Sequence, residues 1–127
     1  MAVATRTVSY NGGDSPHGGM ASGLLVPATT PAAEHIELGW EPNFIELVNY
    51  TGTNPNIYTW RKGMASGSAF LMTGSTGVYT KVTGGPTVNA GGLKTVDGVA
   101  NTMTRPGFII PAALQTDGDT WAWRAHR

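Results

Sequence analysis

From residue 34 onward the apolar residues of this chain recur at every second position, and that period confines it to β-strands. In Glu34-His35-Ile36-Glu37-Leu38-Gly39-Trp40, the residues Ile36, Leu38 and Trp40 fall on one face. Phe44 to Tyr50 is rich in β-branched and aromatic residues, with both faces partly apolar, and Ile57 to Lys62 alternates again, with Tyr58 and Trp60 on one side. Pro42-Asn43 precedes these two runs as a turn, and TGTNPN (residues 51–56) is turn chemistry between them, so they predict an antiparallel hairpin. Further strands are expected at Ala69 to Thr73, at Gly77 to Thr83, at Leu93 to Val96, at Gly107 to Ile110 and at Thr120 to His126. In the second of these, Val78, Thr80 and Val82 face away from Tyr79 and Lys81. Gly84-Gly85-Pro86 and Gln115 to Asp119 punctuate the series as turns. No window holds an apolar stripe at helical spacing over three turns. Seven to nine short strands predict an all-β fold, a β-sandwich or jelly-roll-like antiparallel domain.

The N-terminal quarter lacks that period. Val3 to Tyr10 alternates weakly and suits an edge strand, while YNGGDSPHGGMASGLLVPATTP (residues 10–31) offers neither periodicity nor bulk. Residues 1–31 are therefore expected to form an extended, Gly/Pro-rich arm that contacts a partner, with residues 32–127 as the sandwich body. Gly-rich backbone is costly to fix, so an ordered arm calls for outside support. The pentapeptide GMASG occurs at residues 19–23 and again at 63–67, but the flanking residues share almost nothing, which rules out a tandem repeat. The second copy is expected to be a connection within the body and the first a flexible stretch of the arm.

At 127 residues the chain is the size of one ordinary domain. Its eight basic and eight acidic residues cancel, and the basic ones are scattered from Arg6 to Arg127, which argues against nucleic acid as a partner. Without cysteine, neither disulfides, thiolate metal sites nor a cysteine nucleophile are available. The start MAVATRTVSY lacks a basic segment followed by an apolar run, and no stretch approaches the ~18 apolar residues of a membrane span. A soluble protein with no membrane partner and no export signal is expected. Its low share of charged residues, 13%, suits a chain packed against another protein.

Candidate chemistry is sparse. Asp117-Gly118-Asp119 resembles the opening of a calcium loop, but Trp121 and Trp123 stand where further oxygen ligands are needed, so a hairpin turn is favoured. His17, His35 and His126 lack metal-ligand spacing. Gly12-Gly13 and Gly18-Gly19 lack the lysine and Ser/Thr of a phosphate loop. None of Ser22, Ser66 and Ser68 lies in a nucleophile elbow, and Glu34, Glu37, Glu41 and Glu46 read as the solvent face of alternating strands. No catalytic residue, cofactor site or metal site is expected. The aromatic set Trp40, Tyr50, Tyr58, Trp60, Trp121 and Trp123 suits a core or a subunit interface better than a sugar-stacking platform.

The order of motifs from Gly39 onward resembles that of small bacteriophage and prophage structural proteins, including capsid decoration (cement) proteins. The pieces are Gly39-Trp40-Glu41-Pro42, the strand Phe44 to Asn49, Tyr58-Thr59-Trp60, the small-residue loop Gly63 to Gly67, Thr83-Gly84-Gly85, Gly107-Phe108-Ile109-Ile110, and Gly118-Asp119-Thr120-Trp121-Ala122-Trp123-Arg124. Together they span roughly two thirds of the chain and leave residues 1–31 uncovered. The resemblance implies a non-catalytic β-sandwich in the virion that binds the outside of the capsid through the phage major capsid protein, bridges capsomers and assembles as a homotrimer. Tyr10, His17, Met20, Leu24, Leu25, Trp60, Arg61, Trp123 and Arg124 are the expected partner-binding residues. A carbohydrate- or receptor-binding module of a phage tail or fibre is the alternative that the aromatics support.

Overall fold

The computed structural model of the chain describes residues 5–10, 19–51, 55–65, 67–83, 92–96, 105–115 and 118–127. These form eleven strands: β1 Thr5–Arg6, β2 Ser9–Tyr10, β3 Met20–Val26, β4 Glu34–Glu37, β5 Phe44–Asn49, β6 Ile57–Arg61, β7 Ala69–Met72, β8 Tyr79–Val82, β9 Lys94–Val96, β10 Gly107–Ile110 and β11 Trp121–His126. One 3-10 turn, Ala112–Leu114, completes them. The fold is all-β, as the period of two predicts. A large antiparallel sheet runs in the order β1-β3-β11-β5-β6-β7-β8, with β2 also paired to β3, and a small one in the order β4-β10-β9.

Alternation puts one face of each sheet inside. From the large sheet come Leu25, Ile45, Leu47, Tyr58, Trp60, Trp121, Trp123 and Ala125; the small sheet and its flanks add Ile36, Leu38, Leu93, Phe108 and Ile110, all in one buried cluster. The rings of Phe108 and Trp123 meet edge-on across the two layers, 5.4 Å apart. This sandwich-like core is therefore built from strand parity alone. Each fully buried Leu, Ile or Phe in it contributes about 1.5–3 kcal/mol.

The layers are joined at both margins. On one side Arg6 of β1 donates to the Glu34 carboxylate of β4 at 2.9 Å and to the His35 carbonyl at 3.1 Å. On the other, the backbone amides of Gly67 and Leu93 donate to the carbonyls of Leu93 and Ser68, tying the approach to β9 to the start of β7. Strand β8 lies beyond that second seam, and three of its four residues are exposed.

The N-terminal arm needs correcting. Residues 20–26, expected to be unstructured and partner-contacting, form β3, which pairs with β11 from Met20↔His126 to Leu25↔Trp121 and with β1 and β2 on its other edge. Ala21 and Leu25 are wholly buried in the shared core. Its lack of periodicity has a steric origin: a Cβ on Gly23 would lie 2.7 Å from the Trp123 ring and 1.7 Å from the Thr7 carbonyl oxygen, so only glycine fits the space. The edge pairing expected within residues 3–10 is present at β1 and β2. The two GMASG copies thus differ: Met20 to Gly23 are strand, whereas Gly63 and Gly67 take left-handed φ of 101° and 82° in the turn after β6. Trp60 fixes that turn by donating its indole N–H to the Ala65 carbonyl at 3.3 Å. The expected Gly84-Gly85-Pro86 turn lies outside the described residues.

Candidate docking face on the large sheet

Because β5 to β8 form a meander and β11 sits between β3 and β5, side chains far apart in sequence line up on the outer face of the large sheet. One register row runs Leu24, Ala122, Val48, Ile57, Met72, Tyr79, each directly opposite the next. Six strands at ~4.8 Å spacing make this an apolar row about 24 Å long. Its ends are open, with Leu24 39% and Tyr79 71% exposed, and Val26 and Tyr50, two positions on from Leu24 and Val48, extend the apolar surface around it. A contiguous exposed row of this kind marks an interaction surface more often than scattered single residues do.

The neighbouring row is Ser22, Arg124, Glu46, Thr59, Phe70, Lys81. Arg124 pairs with Glu46 at 3.4 Å, an exposed contact that stabilises the fold by less than about 1 kcal/mol. A third row holds Met20, His126, Phe44 and Arg61. Phe44 packs edge-on against His126 at 5.3 Å, and the guanidinium groups of Arg61 and Arg124 each lie 5.9 Å from its ring centre. Where the rows meet over β6, β7 and β8, Thr59, Arg61, Phe70 and Tyr79 line an open groove of about 430 Å³.

Of the expected partner-binding residues, Met20, Leu24, Arg61 and Arg124 belong to this face. Leu25, Trp60 and Trp123 point the opposite way, at 0%, 5% and 2% exposure, and their surfaces are taken up by the core. Tyr10 enters β2 opposite Ala21; its side chain and the whole of His17 lie outside the description. Phe70, Met72, Tyr79 and Lys81 were missed. Alternation did place Tyr79 and Lys81 on a common face, but their alignment with β7 and β6 depends on register.

The calcium-like turn serves as a clamp. Asp119 accepts a hydrogen bond from the Asn49 side-chain amide at 2.7 Å, and Thr51 Oγ1 accepts one from the Thr120 amide at 3.0 Å; Asp117 lies outside the described residues. Among those residues no group of three or more His, Asp or Glu is placed to hold a metal ion. No helix among them is long and apolar enough to cross a membrane.

A second, polar depression beside the first seam is lined by Arg6, Val8, His35, Ile36 and Glu37. Burial holds the His35 imidazole below its ordinary value, with the Arg6 charge acting in the same direction and Glu37 and a backbone hydrogen bond with Arg105 opposing. The fold thus favours neutral His35. Its contribution is fully present above the unfolded value of about 6.5 and is lost as pH falls through the lower folded value. Thermal unfolding between pH 7 and pH 5 is expected to show a falling midpoint, and His35→Gln should flatten that slope, by at most about 1.4 kcal/mol per pH unit. An identical pH profile for the variant would remove His35 from the explanation.

Compared with known proteins, the chain matches no family model, no curated protein and no solved structure.

Proposed function

We propose that this chain is a non-catalytic virion structural protein that binds the outer surface of a phage capsid, bridging capsomers as a homotrimer. The apolar row across six strands carries this reading: it is a broad, shallow, protein-sized surface without convergent acid–base or nucleophilic groups along it. The sequence resemblance from Gly39 onward supplies the capsid as partner. A flat face with an apolar centre and a charged margin suits repeated attachment to a symmetric shell, where many modest contacts add up.

The test is attachment to undecorated capsids. The purified chain should co-sediment with them and raise their resistance to heat; unchanged capsid stability at saturating protein overturns the proposal. Leu24→Ser combined with Tyr79→Ser is expected to weaken attachment about thirtyfold, the effect of losing one strong anchor, about 2 kcal/mol. Because both side chains are exposed, the unfolding midpoint should move by no more than a few degrees.

The alternative, a carbohydrate- or receptor-binding module of a phage tail or fibre, draws support from the groove, where the exposed rings of Phe70 and Tyr79 flank Thr59 and Arg61. In that reading Tyr79→Ala abolishes a glycan-array signal. Of the six aromatics read from the sequence, Trp40, Tyr58, Trp60, Trp121 and Trp123 are buried and have no free ring face for a sugar, and Tyr50 is exposed.

A further inference from the structure

We infer that the surface bound by the large sheet is acidic: a partner protein segment whose Asp or Glu side chains enter the groove of Thr59, Arg61, Phe70 and Tyr79 beside Lys81. This rests on the docking reading above and gives the partner its chemistry. Over the whole chain the charges balance, eight against eight, but they do not balance here. The described side chains of the outer face include Arg61, Lys81 and Arg124 against Glu46, and Arg124 already occupies Glu46. Among the described residues neither Arg61 nor Lys81 has a carboxylate within ion-pair distance.

A partner that covers the apolar row and fills the groove beside it also removes water from these two cations. Taking an unpaired charge out of water is strongly unfavourable, so a purely apolar partner is disfavoured and a partner that brings carboxylates is favoured. A second copy docking through the same face would set a surface carrying Arg61, Lys81 and Arg124 with one carboxylate, Glu46, against an identical one, and this like-charge juxtaposition disfavours self-association. An acidic polysaccharide satisfies the cations but leaves Leu24, Val48, Ile57 and Met72 without apolar cover. The occupant that meets both needs is a protein segment with carboxylates next to apolar side chains. Phe70 lies directly between Thr59 and Lys81 in register, and Tyr79 is on the adjoining row, so acidic and apolar groups of the segment are received side by side.

The test uses the full chain and two synthetic peptides, one alternating Glu with Val and one alternating Lys with Val, followed by amide chemical shifts. The Glu peptide should shift the amides of Thr59, Arg61, Phe70, Tyr79 and Lys81, and the Lys peptide should not. Arg61→Glu with Lys81→Glu should lower the affinity at least about tenfold, and raising salt from about 50 to about 500 mM should weaken binding by wild type. Equal binding of both peptides, unchanged affinity of the double variant, polygalacturonate shifting these amides where the Glu peptide does not, or dimerisation mapped to the same amides would each overturn the inference. Capsid co-sedimentation separates the two proposals. Attachment unaffected by the double charge reversal sinks the acidic partner and leaves docking intact; binding of the Glu peptide by a chain that ignores capsids does the reverse.

Discussion

A chain lacking residues 1–31 is expected to lose cooperative folding, whereas one lacking only residues 1–18 keeps it. The longer deletion removes β3, an inner strand that pairs with β11 over six residues and buries Ala21 and Leu25 completely. Burial of Leu25 contributes about 2 kcal/mol, and each lost ladder hydrogen bond about 1 kcal/mol net. The deletion also opens the side of β11 that carries Trp121, Trp123 and Ala125, wetting a core built around those residues. The sum approaches the ~5–15 kcal/mol that is the entire stability of an ordinary domain. By contrast, the shorter deletion removes β1 and β2, which pair with β3 over two residues each and whose described side chains are exposed, together with the seam between Arg6 and Glu34, worth about 1 kcal/mol. It costs edge hydrogen bonds but leaves Ala21, Leu25 and the pairing of β3 with β11 in place. Circular dichroism during heating distinguishes these outcomes. A soluble 32–127 fragment with a sharp melting transition would show that β3 is an accessory to the fold.

How much of this was legible in the sequence depends on where the information resides. The inward parity of Ile36, Leu38 and Trp40, and of Tyr58 and Trp60, could be read directly, because each run carries its own alternation and all five residues are buried. Strand β3 could not. Its inner positions include Ala21 and Gly23, and Gly23 is kept without a side chain by the bulk of Trp123 opposite, so the explanation for that glycine is found a hundred residues away on β11. GMASG makes the same point without any change of sequence: its neighbours decide whether it is strand or turn. The outer apolar row was hidden for a topological reason, since β3, β11 and β5 are adjacent in the sheet but not consecutive in the chain. Parity was nonetheless available to prune the expected contact residues. Neighbours on a strand point to opposite faces, so Leu24 with Leu25, Trp60 with Arg61, and Trp123 with Arg124 could never form one surface. In each pair the structure keeps the partner without the bulkier or more inward-set side chain, namely Leu24, Arg61 and Arg124, on the outside.

Trp123→Ala is the point substitution with the largest expected effect, a loss of about 3–5 kcal/mol. The ring is 2% exposed and sits on β11 between Gly23 of β3 and Leu47 of β5, with Phe108 of the small sheet packed edge-on above it. Truncation leaves a void bounded on one side by a glycine that has no side chain to move into it, and on the other by strands held in register, so collapse is limited and the cavity penalty is high. Aromatic contacts of this geometry add about 0.5–1.5 kcal/mol beyond the area buried. At roughly 3–5 °C per kcal/mol for a domain of this size, the unfolding midpoint should fall by at least about 10 °C. Tyr79→Ala is the matched control: it removes an aromatic ring that is 71% exposed and should shift the midpoint by no more than about 2 °C. The pair of measurements also decides what a loss of binding means. If Trp123→Ala abolished glycan or capsid binding with its midpoint unchanged, the indole would be a contact residue and the inward parity of β11 would be wrong. If binding and midpoint fall together for Trp123→Ala while Tyr79→Ala loses binding alone, recognition belongs to the outer rows and Trp123 acts only by holding the two sheets together.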